Sequence, residues 1–233
     1  MARTVNATVY AIRRDAFVDV ARRLIQTKGY ERTSIQDVLD ALDASRGAFY
    51  HYFDSKGALL EAVLDRMVDE AMARIAPVMD DPDIPAPEKL RLVFSGIAAY
   101  KADQRDLVLA ILGVWLSDDN AVVRERLRRR QATALAAILD RIVAQGISEG
   151  AFHVDTPDHV GAVLVALQQG AGETASRLYL GRRDGTVTFA EVVATLDAYR
   201  VAFERILGAQ PGSLSFVDEA TLHLWFDRTH ITT

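Results

Sequence analysis

From Ser45 to Lys56 the chain reads Ser-Arg-Gly-Ala-Phe-Tyr-His-Tyr-Phe-Asp-Ser-Lys, and most of these residue types suit contact with a polyanion. Arg46 carries a planar fork that can reach a guanine edge, and Ser45, Gly47 and Ala48 are small enough for a backbone to come close to a base pair. Phe49 and Phe53 stand four residues apart and are expected to face inward. Tyr50, His51 and Tyr52 then keep hydroxyl and imidazole groups near phosphates. Lys56 opens the next segment, where the helix dipole disfavours a cation and a nearby phosphate would explain one.

The flanking pattern supplies the elements that must position these groups. Phe17, Ala21, Leu24 and Ile25 form an apolar stripe at helical spacing, and Lys28-Gly29 stops it. Thr33-Ser34 offers a cap for a short helix over 34–42 with Ile35, Val38, Leu39 and Leu42 on one face. Asp43-Ala44 is a tight turn, and Ser45 opens the segment holding Phe49 and Phe53. Two short helices joined this way form a helix-turn-helix, whose second helix can lie in a major groove. Asp54-Ser55 caps a long helix reaching about Ala76, with Leu59, Leu60, Val63, Leu64, Met67, Ala71 and Ile75 on one side.

Beyond it the sequence predicts a loop over 77–87, which holds four prolines and three aspartates. Helical patterns follow at about 88–101, 104–116, 119–149, 156–180 and 188–208, with Gly181 to Gly185 separating the last two. The longest alternating run is four residues, Thr186 to Phe189, and no internal repeat is evident. The expected fold class is all-α. Leu214 to Phe226 is amphipathic and fits a short extra helix, leaving open whether the tail lids the body, extends a dimer or frays.

Of the 233 residues 50% are hydrophobic and 25% charged, which excludes a disordered or low-complexity chain and suffices to bury one large core or two small ones. The longest apolar run, Leu107 to Leu116, is about half of what a membrane span needs. Residues 1–14 carry no apolar signal core, so a soluble cytoplasmic protein is expected. With no cysteine there is no disulfide, thiolate chemistry or cysteine-bound zinc. Residues 1–60 hold nine Lys/Arg against seven Asp/Glu, and the rest hold 18 against 25. A slightly basic head thus precedes an acidic body, within a net charge of −5.

Three other patterns carry weaker functional readings. Gly170-Ala171-Gly172-Glu173-Thr174-Ala175, with Glu191 downstream, matches a dinucleotide fingerprint but lacks the preceding strand that such a site needs. His153, Asp155, Asp158 and His159 cluster near a loop, where surface turn residues explain them better than a metal. The basic run Arg124 to Arg130 spreads around a helix, as a solvated face does. No cofactor and no catalytic constellation are expected, so the chain is not read as an enzyme.

The ordered string Thr33-Ser34-Ile35, Val38, Ser45 to Phe53, Lys56 and Leu59-Leu60, with the upstream Ala21 to Tyr30, resembles the TetR/AcrR family of bacterial transcriptional regulators over about residues 10–62. The family's turn usually reads Ala-Gly-Val-Ser, where this chain has Leu42-Asp43-Ala44-Ser45; aspartate tolerates a positive φ. Its charge, with Asp37 and Asp40, would oppose DNA. The resemblance implies that Thr33 or Ser34, Tyr50, Tyr52 and Lys56 hold phosphates. Gln36, Arg46, Gly47 and Ala48 would lie near base edges, behind the Ser45 cap, and His51 would do either.

It also implies a DNA-binding domain over 10–55, a regulatory and dimerisation domain over 56–208 and a C-terminal extension over 209–233. The implied partners are an operator duplex, a second copy of the chain and a small effector. Small residues from Gly161 to Ala175 suit close helix approach in a homodimer, although closely packed helices within one chain would use them too. Met67, Phe94, Tyr100, Leu112 and Trp115 are candidate pocket walls, with Met72, Ile97, Leu109 and Phe152 beside them. Gln168, Gln169 and Glu173 are the candidate polar groups, together suiting a mostly apolar effector. The expected function is a ligand-released repressor on a palindromic operator. Its alternatives are a ligand-independent regulator whose body only dimerises, and an all-helical carrier or enzyme.

Overall fold

The computed structural model describes residues 2–117, 121–155 and 157–227, with side chains from residue 7 onward. All its regular elements are helices: α1 (Ala2–Lys28), α2 (Ile35–Leu42), α3 (Arg46–Tyr52), α4 (Lys56–Asp80), α5 (Ala86–Asp103), α6 (Arg105–Trp115), α7 (Ala121–Ser148), α8 (Val160–Asp184), α9 (Phe189–Leu207) and α10 (Glu219–Phe226). Among the described residues no helix is long and apolar enough to cross a membrane. The chain divides into two compact units. One holds Met1–Glu70 and Gln104–Leu127, the other Ala71–Asp103 and Arg128–Thr233.

The first unit is built on the apolar stripe of α1. Phe17, Val18 and Ala21 close over Val38, Leu39, Phe49, Phe53, Leu59 and Val63, all buried. Helix α6 packs along α1 as well. Arg22 ties this arrangement together, donating to Glu70 at 2.7 Å and to Gln104 at 2.8 Å.

The second unit has its own core, in which Ile75, Leu90, Val93, Leu139, Ile142, Leu164, Phe203 and Leu207 meet. Helix α7 approaches α8 so closely that a Cβ on Gly161 would run into Asp140 and the Ala136 carbonyl. The Gly161 amide instead donates to the Asp140 carboxylate at 2.8 Å. Helix α9 opens on a capping box of Thr188 and Glu191 and ends at Gly208.

Two helices run four residues past their expected ends. Helix α4 continues through Pro77 to Asp80, so the expected loop over 77–87 shortens to the five residues before Ala86. Proline removes one helical hydrogen bond, but Ile75 and Met79 on either side are buried in the core, and that packing holds the turn. Helix α8 likewise runs through Gly181, whose carbonyl accepts the Thr186 and Val187 amides. Here the glycine makes room, since a Cβ would collide with Val187.

The tail belongs to the second core. Leu214 is 1% exposed, and the Phe216 ring lies 4.7 Å from Phe94 and 4.9 Å from Phe203. Helix α10 packs on α5, α8 and α9. Buried Glu204 ties the tail to α9 by accepting from the Leu214 amide at 3.1 Å and from Arg200 at 2.7 Å. Burial pushes its carboxyl pKa up, but the Leu214 and Gly212 amides and Arg200 pull harder, leaving it below the ordinary carboxylate range. The resulting stability is present above that range and lost as pH falls through the depressed pKa. Glu204→Gln is therefore expected to cost about 1–3 kcal/mol at neutral pH. The gap should close on acidification in denaturant titrations run across pH.

Candidate nucleic-acid interface

Helix α2 starts at Ser34, whose hydroxyl accepts from the Asp37 amide at 3.1 Å while the Asp37 carboxylate takes the Ser34 amide at 2.6 Å. Lys28 also reaches that carboxylate at 2.7 Å. The lysine first, then the serine, hold the Asp37 carboxyl far below its ordinary range. Its charge is thus engaged within the chain. Asp40 accepts from Gln36 at 2.7 Å, whereas Asp43 is exposed and makes no ion pair among the described residues.

Asp43 ends α2 in the left-handed region, at φ 48°, and its neighbour's amide, Ala44 N–H, donates to Leu39 at 3.0 Å. The turn thus carries the positive φ expected of aspartate. Asp43→Val is expected to cost about 1–2 kcal/mol, because a β-branched side chain fits this region poorly. Asp43→Gly should keep wild-type stability within about 1 kcal/mol. Equilibrium unfolding of the two variants checks this, and equal destabilisation would contradict it.

Ser45 caps α3, accepting from the Ala48 amide at 3.2 Å. Phe49 and Phe53 point into the core at 0% and 3% exposure, fixing which side of α3 faces out. On that outer side lie Arg46, Gly47 and Tyr50, all exposed, with Ala48 half-buried. Arg46 makes no hydrogen bond or ion pair among the described residues. A Cβ on Gly47 would meet only the Ser45 hydroxyl, at 3.9 Å, so the chain's own packing does not demand a glycine there. What remains is room for something outside the chain.

The other candidates divide. Tyr50 is 45% exposed and touches Phe49 edge-on. His51 is exposed, and Tyr52 is half-buried against Phe17 and Tyr10. Thr33 is 4% exposed and its hydroxyl donates to the Gly29 carbonyl at 2.8 Å, so of the pair only Ser34 faces solvent. Lys56 lies over the Tyr30 ring at 4.1 Å and donates to the Glu31 carbonyl at 3.3 Å. Burial lowers its pKa, against the pull of Glu31 and Asp37. Tyr10, Lys28 and Tyr30 are not among the site residues expected from the sequence. The i, i+4, i+7 spacing of Tyr10, Arg14 and Phe17 was the signal available for the first.

The candidate effector residues fall in both units. Met67 on α4 and Leu112, Trp115 and Leu109 on α6 belong to the first. Phe94, Tyr100, Met72, Ile97, Phe152, Gln168, Gln169 and Glu173 belong to the second. Several already have partners there. Phe94 packs on Phe203 at 5.3 Å, Tyr100 lies under Arg74 at 5.0 Å, and Gln169 donates to the Arg128 carbonyl at 2.9 Å. Glu173 pairs with Arg177 at 2.6 Å, and Phe152 fills the space beside Gly146.

Gly170 and Gly172 sit inside α8 with no strand before them among the described residues. Among the described residues no group of three or more histidines and carboxylates is close enough to hold a metal. Arg124 donates to the Trp115 and Ser117 carbonyls, and Arg126 pairs with Glu61 at 3.2 Å.

Comparison with known proteins agrees with this geometry. Residues 17–63 match the family described as bacterial regulatory proteins, tetR family. The chain is 26% identical over 159 residues to the HTH-type transcriptional repressor DhaR of Mycobacterium sp. (strain GP1), covering 68% of this chain and 79% of that one. It is 41% identical over 61 residues to the repressor ComR of Escherichia coli, an alignment spanning 26% of this chain and 29% of ComR. In fold it is similar to a TetR transcription regulator from Haloarcula marismortui, with a TM-score of 0.60 at 22% identity over 85% of this chain and 97% of the other.

Proposed function

We propose that this chain, whose residues 17–63 match the tetR family of bacterial regulatory proteins, is a DNA-binding transcriptional regulator of that family and not an enzyme: a repressor that binds an inverted-repeat operator as a homodimer and leaves it when a small effector binds the body. The observation that carries the DNA contact is the outer side of α3, where Arg46, Gly47 and Tyr50 stand exposed over a buried Phe49. In this reading Arg46, Gly47, Ala48 and Gln36 meet base edges. Ser34, Tyr50, Tyr52, His51 and Lys56 hold phosphates, Ser34 and Ser45 fix the two helix starts, and Thr33 ties the approach to α2 back to Gly29. One seven-residue helix reads few base pairs. Two copies related by a two-fold axis read half-sites about one helical turn apart.

Repression is supported by the printed names of the two relatives. Release follows from linkage: an effector frees DNA only as far as it binds the non-binding conformation better. Helix α4, whose residues belong to both units, is the coupling element proposed here. A gel-shift titration read with the mass of the complex tests the assembly. Two chains per inverted repeat are expected, and one chain bound equally well to an isolated half-site would overturn it.

Lys56→Ala is expected to weaken binding uniformly across sequences and to reduce the slope of log affinity against log salt by about one. An unchanged slope would remove the phosphate role. A second reading, a regulator whose body only dimerises, is favoured by the internal partners of Phe94, Gln169 and Glu173. Thermal shift across a library of apolar carboxylates and aromatics separates the two. A stabilising compound that also releases DNA supports the effector reading, and uniform silence supports the second.

A further inference from the structure

The family match begins at residue 17, yet α1 begins at Ala2 and continues the same seam upstream. Residues 10, 14 and 17 share one helical face. Phe17 lies 5.9 Å from Phe49, the Arg14 guanidinium sits 5.2 Å over the Phe53 ring, and Tyr10 lies 5.5 Å from His51 and 4.7 Å from Tyr52. Side chains thus fasten the upstream part of α1 lengthwise to α3 and its cap.

Next to this seam the helix is open. Val9 is 46% exposed, and Arg13, one turn on, is exposed with no hydrogen bond or ion pair among the described residues. Residues 2–14 include three arginines and no acid, and the first carboxylate is Asp15. The chain as a whole is net −5, so an acid-free basic stretch is out of keeping with its surface. Charge complementarity and continuity with the DNA-binding helix select the occupant: the duplex that α3 engages.

The geometry points to a second DNA-contacting element, upstream of the helix-turn-helix, in which Arg13 binds a backbone phosphate and Val9, one turn before it, lies against the sugar edge. Tyr10 is a positioning residue, holding the element against His51 and Tyr52. The inference rests on the DNA-binding reading above and deepens it. Such contacts add affinity and register without reading bases.

The test uses the full chain and the duplex that the wild type selects. Arg13→Ala is expected to lower the slope of log affinity against log salt by about one, so that the affinity lost between about 50 and 200 mM salt becomes roughly fourfold smaller. Base preference should stay that of the wild type, and Arg13→Lys should restore the slope. Tyr10→Ala should move the slope the same way while keeping the wild-type base preference. An Arg13→Ala protein with the wild-type melting temperature, slope and footprint overturns the inference, provided Arg46→Ala still loses base preference. A changed base preference in Arg13→Ala overturns the phosphate role. A wild type with no preferred duplex overturns both this and the reading beneath it.

Discussion

Phe49→Ala is expected to destabilise the first unit by about 3–5 kcal/mol and to abolish operator binding. Phe49 is 0% exposed, and its ring meets Phe17 at 5.9 Å and Phe53 at 5.8 Å. Truncation removes a buried aromatic and leaves a cavity that α1, α2 and α4 cannot close without moving. Helix α3 is only seven residues long, too short to persist without tertiary packing. Its outer face therefore depends on this inner anchor. Thermal melts with a probe on the first unit should show a lowered transition, and restored binding at low temperature would identify the loss as one of folding. A melting temperature equal to wild type would contradict the assignment of Phe49 as the anchor.

Arg46→Ala should behave in the opposite way, leaving the fold intact and changing what is read. Arg46 is exposed and makes no contact that folding needs. On DNA its guanidinium suits two hydrogen bonds to the O6 and N7 of a guanine, worth about 1–3 kcal/mol of discrimination. The variant is expected to bind the selected duplex about 5- to 150-fold more weakly. Duplexes altered at one base pair per half-site should then bind as well as the unaltered one. Since arginine also neutralises charge, Arg46→Lys is the control that keeps the charge and loses the fork. A sequence profile unchanged in Arg46→Ala would place Arg46 on the backbone instead.

The head of this molecule was legible because several local rules agree there. Ser34 with Asp37 and Ser45 with Ala48 cap as their types require, Asp43 takes the positive φ that a tight turn needs, and Phe49 and Phe53 turn inward at their spacing of four. Elsewhere packing decides. Pro77 reads as a break, but the burial of Ile75 and Met79 keeps α4 whole. Gly181 reads as a separator, but it is the close approach of Val187 that requires it.

The body was least legible. Phe94 looks the same in sequence whether it lines a cavity or fills a core, and here it packs on Phe203 and Phe216. The latter residue lies 122 positions along the chain from Phe94 and is held there through Glu204 and Leu214. No periodicity within α5 carries that information. The upstream seam of α1 escaped for a different reason: Tyr10 and Arg14 are not apolar by type, although both put an apolar or aromatic surface to the neighbouring rings.

The central claim is sequence-specific DNA binding through α3 of two paired copies. Its most direct test is selection from a pool of random duplexes with the purified full chain, at about 0.15 M salt, where screening leaves base contacts to decide. The account predicts enrichment of one inverted repeat with half-sites about a helical turn apart, lost when the selection is repeated with Arg46→Ala. A well-folded protein that enriches nothing, or enriches the same sequence with and without Arg46, would contradict it.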